Sequence, residues 1–178
     1  MPAETSKNVS ENVATRVFAQ QLAQEREHVA KIYARLDDLR EETSQKLADV
    51  RKNQAVGGHQ NRSERDSFAT HYEDRLAQLN AVDARLVFGR LDLTKDGADE
   101  VRYIGRLGIM DSDQKRLLMD WRAPEAGTFY QATAFNPLGV RRRRHLMLEG
   151  RTVTNIADEV FDSALLTVSF PHLRAHET

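Results

Sequence analysis

Residues 11–54 contain neither proline nor glycine, and their apolar residues recur at the spacing of one face of an α-helix. Leu22, Val29, Ile32, Leu36, Leu39, Leu47 and Val50 are separated by steps of seven, three, four, three, eight and three. Thr43 occupies the slot that the step of eight skips, so the three-four rhythm persists. The opposite face is expected to carry Glu25, Arg26, Asp38, Glu41, Glu42, Lys46 and Asp49, with Glu42 and Lys46 in the favourable i, i+4 order. A helix of roughly 40 residues is about 60 Å long. That is longer than one small core covers, so the helix requires a partner.

The next segment supplies one. Paired glycines at 57 and 58 break the pattern, and Ser63-Glu-Arg-Asp66 reads as a capped helix start with an acid in its first turn. A second stripe follows at Phe68, Tyr72, Leu76, Leu79 and Leu86, with Val82 beside it. Two amphipathic helices joined by a short connection fold back antiparallel. Residues 11–86 are thus expected to form a long coiled-coil hairpin with its tip at 55–62. Residues 14–24 of the longer first helix are expected to extend past the hairpin base or to be partly frayed.

Beyond residue 87 the period shifts toward two. Asp96-Gly97, Asp111-Ser-Asp113 and Glu149-Gly150 punctuate the chain as turns. The spacing predicts four to six short antiparallel strands over 87–162, with Val101–Met110 as one of them. The expected fold class is α+β: an antiparallel coiled-coil hairpin followed by a small antiparallel β-module. Residues 1–10 read as a flexible N-terminus and 163–178 as a mobile tail.

Composition narrows the chemistry. The absence of cysteine excludes disulfides, thiolate nucleophiles and zinc–thiolate sites. Net charge is −1, which gives no global attraction to nucleic acid or to an anionic membrane. No apolar run reaches the length of a membrane span, and the polar first ten residues do not read as a secretory signal. A cytoplasmic protein is expected. None of the six histidines has metal-ligand spacing. Asp120 and Arg122 share a face if the strand runs through them. They read as an ion pair at its end, with Trp121 pointing into the core.

The one dense basic run is Arg141, Arg142, Arg143, Arg144 and His145. Alternation puts Arg141 and Arg143 on one face and Arg142 and Arg144 on the other. Arginine forks suit phosphates and acidic protein surfaces alike, and a solvated edge strand guarded by charge is the plain alternative. The tip carries His59, Asn61 and Arg62 and no carboxylate between Lys52 and Ser63, so it lacks the acids that a tip-borne magnesium ion requires.

Three blocks in fixed order complete the picture: Tyr103-Ile-Gly-Arg-Leu-Gly-Ile109, the segment from Leu118-Met-Asp-Trp-Arg-Ala-Pro124 to Thr133, and Gly139-Val-Arg-Arg-Arg-Arg-His-Leu146. Together with Glu25-Arg-Glu-His-Val and Tyr33-Ala-Arg-Leu-Asp37 they resemble the N-terminal segment of HelD-type RNA polymerase-associated, superfamily 1 helicase-like proteins. That resemblance implies a hairpin that docks on core RNA polymerase, with nucleic acid engaged only indirectly. It also implies an ATPase motor farther along the family's sequence, where ATP and magnesium would act. This chain contains no Gly-Lys pair, so no phosphate-binding loop is present in it. The expectation is a polymerase-binding module truncated before its motor. His59, Asn61, Arg62, Arg141, Arg142, Arg143 and Arg144 are its candidate partner contacts, and no catalytic, cofactor or metal residues are expected. The alternatives are a self-associating coiled-coil protein and the front half of a split ATP-dependent enzyme. Residues 163–178 are expected to depart from the family's continuation.

Overall fold

The computed structural model describes residues 3–54 and 62–162. Helix α1 spans Ala3–Gln54 and α2 spans Arg62–Ala81. With 52 residues, α1 is about 78 Å long. Contacts between the helices run in opposite senses along the chain. Arg65 donates to the Asn53 carbonyl at 2.8 Å, Arg51 pairs with Glu73 at 2.7 Å, and Arg40 donates to the Leu79 carbonyl at 2.8 Å. The pair is therefore an antiparallel hairpin. Its joining residues 55–61 lie outside the described residues.

Two local details differ from the sequence reading. Helix α2 already includes Ser63, whose carbonyl accepts the Ser67 hydroxyl at 3.0 Å, so Ser63 is not its cap. The inner stripe of α2 also starts one residue later than expected. Ala69 is buried where Phe68 was expected, and Phe68 is 55% exposed. Alanine lets the two helices approach closely at that level. Leu79 is fully buried, and Tyr72 and Leu76 are half-buried.

Six strands follow: β1 Val87–Lys95, β2 Ala98–Gly105, β3 Ile109–Met110, β4 Arg116–Asp120, β5 Val140–Glu149 and β6 Thr152–Val160. They form one sheet in the order β3-β4-β2-β1-β5-β6. All neighbours are antiparallel except β2 and β4. The Asp96-Gly97 turn joins β1 to β2 with both residues at positive φ, as a tight hairpin requires. Gly150, at φ 58°, turns β5 into β6. The expected single strand over Val101–Met110 is broken after Gly105. There the Arg106 amide still donates to the Leu86 carbonyl, just before β1, at 2.9 Å, while the Gly105 carbonyl accepts the Trp121 amide at 2.8 Å.

The sheet is the middle layer. Under α1 lie Val29, Ile32, Tyr33 and Leu36 from the helix, packed with Val87, Tyr103, Ile109, Leu118, Leu146 and Val153 from the strands. On the other face a 3-10 turn, Pro124–Ala126, and a one-turn helix α3, Thr128–Gln131, cover Leu91, Ile104, Met119 and Val140. Gly89 makes room there for Phe129, since a Cβ on it would lie 2.4 Å from the ring. Helix α1 also clasps both edges of the sheet. Arg26 donates to the Val153 carbonyl of β6 at 2.7 Å, and Arg35 to the Met110 carbonyl of β3 at 2.9 Å. Within residues 14–24, expected to extend past the hairpin base, Phe18 and Leu22 are partly buried against the core beneath α1. The fold class is α+β.

Candidate functional site

The basic run lies on β5, between β1 and β6, and not on an edge. Its four arginines reach different partners. Arg141 sits 3.0 Å from both Asp99 and Asp162. Arg142 pairs with Asp92 and lies 3.8 Å from Asp158. Arg143 donates to the carbonyls of Phe129 at 2.7 Å and Ala132 at 3.1 Å, tying down the end of α3, and pairs with Glu159. Arg144 is buried. It grips Asp158 with Nε at 2.7 Å and Nη2 at 2.8 Å, and its Nη2 also donates to Gln21 of α1 at 2.6 Å. Arg144, and Arg142 through Asp158, thus belong to an ionic seam on the α1 side, while Arg141 and Arg143 pair with other acids and carbonyls of the same chain.

Glu25 is the centre of that seam. It is wholly buried, although the sequence placed it on the polar face of α1. One carboxylate oxygen accepts Arg90 and Arg144, each at 2.7 Å, and the other accepts the Tyr103 hydroxyl at 2.8 Å. Such saturation is what a buried carboxylate needs. Burial pushes the Tyr103 phenol well above its usual pKa, and the charge of Glu25 adds to the effect. Burial works against the charge on Arg144, but Asp158 and Glu25 outweigh it and raise its pKa. The seam joins α1 to β1, β2, β5 and β6.

The signal for Glu25 was present in the spacing. The step of seven from Leu22 to Val29 skips residue 25, as the step of eight skips Thr43, and both skipped residues are buried. Its charge, judged by type rather than by position, hid it.

A second ionic group fastens the far end of the joint. Arg151, in the β5–β6 turn, donates to Asp37 at 2.7 and 2.9 Å and to Asp83 at 2.6 Å, with its guanidinium 4.8 Å from the Tyr33 ring centre. Its hydrogen bonds hold both carboxyls below their ordinary range. Asp120 and Arg122 pair at 2.8 Å, as the sequence suggested. Trp121, however, is 47% exposed rather than core. Strand β4 ends at Asp120, and the Arg122 amide folds back onto that carboxylate at 2.9 Å, so strand alternation no longer applies at 121.

At the tip, Arg62 opens α2 with its side chain exposed, while His59 and Asn61 lie outside the described residues. The structure does not bring Arg62 to the arginine run: it stands at the far end of the helix pair from the sheet, beside Arg65 and Asn53. Among the described residues no cluster of three His, Asp or Glu side chains could hold a metal ion, and no helix is long and apolar enough to cross a membrane.

The family model for the N-terminal domain of DNA helicase IV HelD matches residues 22–171. The chain belongs to that HelD N-terminal domain family. The match starts at Leu22, three residues before Glu25, and spans the hairpin, all six strands and part of the segment after 162. No curated protein matches the chain.

Proposed function

We propose that this chain is the RNA polymerase-binding N-terminal module of a HelD-like transcription recycling factor, acting in the cytoplasm. The observation that carries the reading is the hairpin arm. Beyond Arg40, α1 packs on α2, with Leu47 and Ala69 buried between them and Arg51 paired with Glu73. Residues 41–54 alone extend it by about 21 Å. A narrow two-helix arm on a sheet base suits insertion into a groove or channel of a large partner. Arg62, with His59 and Asn61 beside it in sequence, is the contact set at the arm's end. The arginines of β5 are secondary contacts, since each already serves the sheet. ATP and magnesium belong to a motor segment elsewhere in the family. Nucleic acid is met only through the polymerase.

The test is co-elution of the 178-residue chain with core RNA polymerase at two salt concentrations. A stable complex that is lost when residues 56–62 are replaced by a Gly-Ser linker supports the reading. Absence of a complex at micromolar concentration sinks it. A second reading, self-association, is favoured by the exposed Phe68 on α2 and the exposed Val9 and Val13 on α1. A discrete homodimer by mass, with no polymerase bound, would select it.

A further inference from the structure

We propose that His28 makes the seating of α1 on the sheet acid-sensitive: proton uptake by its ring loosens the joint that holds the hairpin to its base. His28 lies one turn beyond Glu25 at the helix–sheet interface. Its ring stacks on Tyr103 of β2, with centroids 3.8 Å apart and planes 14° from parallel. It has a hydrogen bond with the Leu117 backbone of β4, and its buried Nε2 has no hydrogen-bond partner among the described residues. A second ring proton on that nitrogen would be a buried donor without an acceptor, which is costly.

The surrounding charges do not rescue the cation. The Leu117 backbone hydrogen bond from β4 and the charge of Glu25 on α1 favour the cation, Lys31 of α1 and Arg90 of β1 oppose it, and β2 presents Tyr103. Glu25 is the one acid in that set, and its oxygens already receive Arg90, Arg144 and Tyr103. Burial is the largest influence and holds the ring below its ordinary pKa of 6.5. The neutral ring therefore belongs to the seated state. The contribution of His28 is fully present above pH 6.5 and is lost as pH falls from there toward the ring's folded value.

The experiment is amide hydrogen exchange on α1 and β2 in the full chain at pH 7.5 and 5.5, corrected for intrinsic rates, in wild type and His28→Phe. Phenylalanine keeps the stack and takes up no proton. Wild-type protection is expected to fall by at most about tenfold between the two pH values, because pH 5.5 lies one unit below the ring's ordinary pKa of 6.5, with a flatter profile in the variant. Equal pH profiles in the two proteins would overturn the proposal. If the variant does not fold, an NMR titration of the His28 ring in the wild-type chain decides alone. A midpoint clearly below 6.5 supports the device, and one at or above 6.5 overturns it.

Discussion

Glu25 of α1 and Arg144 of β5 are 119 residues apart in sequence and meet at 2.7 Å with both side chains out of water. The contact specifies one seating of a long helix on a sheet. An apolar interface alone would tolerate sliding by a turn, because the three-four stripe repeats. A buried carboxylate with three named donors has its partners at one register only.

Removing Glu25 is therefore expected to be severe. Glu25→Ala leaves Arg90 and Arg144 facing each other in a dry interface and should cost about 3–5 kcal/mol. Glu27→Ala, which removes an exposed pair with Lys31 at 3.6 Å, should cost less than about 1 kcal/mol. Urea unfolding of both variants compares them directly. A loss at position 25 no larger than at 27 would mean that water reaches the arginines.

Gly105 tests the backbone contact that ends β2. A Cβ there would lie 2.0 Å from the Leu86 carbonyl oxygen and 3.0 Å from the Leu118 methyls. Because the first of these is backbone, no rotamer change relieves it. Gly105→Ala should destabilise by about 1–3 kcal/mol or more. Gly97 has nothing within 4 Å of its Cβ position, so Gly97→Ala carries only the cost of its positive φ. A thermal midpoint for Gly105→Ala at or above that of Gly97→Ala would contradict the packing described.

The Arg151 group should respond to salt and acid. Asp37 and Asp83 have folded-state pKa values below 3.8, owing first to hydrogen bonds from Arg151. Their contribution is thus present above pH 3.8 and lost as pH falls below it through the folded values. All three side chains are 39–51% exposed, so solvent screens the pairs. Arg151→Ala should cost at most about 1 kcal/mol at low ionic strength, and less at high salt. Thermal unfolding of both proteins at two salt concentrations measures this, and a larger loss that ignores salt would assign the effect to packing of Arg151 on Tyr33.

The hairpin, the turn at Asp96-Gly97 and the α+β class were legible because each rests on local periodicity or on one turn's chemistry. What was not legible depends on long-range partners. The parallel β2–β4 pairing rests on a distant partner, since the Gly105 carbonyl accepts the Trp121 amide at 2.8 Å. Glu25 reads as surface until Arg90, Arg144 and Tyr103 are brought to it by the sheet. The arginine run reads as a binding patch by composition, yet its place between β1 and β6 sets it among acids of neighbouring strands. Phe68 was assigned to the interior on helical spacing and Trp121 on strand alternation, where Ala69 and a strand ending at Asp120 leave them in solvent.

The same distinction separates contact from scaffold in the proposed role. Arg62 is exposed at the start of α2, so Arg62→Glu should alter stability by no more than about 0.5 kcal/mol. If the arm's end meets an acidic surface of the polymerase, that reversal slows association and weakens the complex most at low salt. Arg144→Glu would place a third acid against Glu25 and Asp158 in a buried site. It should unfold the joint and abolish binding indirectly. Circular dichroism with co-elution resolves the two: the expected pattern is a folded, weakly binding Arg62 variant and a misfolded Arg144 variant. A folded Arg144→Glu protein that merely loses polymerase would instead make the β5 arginines direct contacts and move the binding surface from the tip to the sheet.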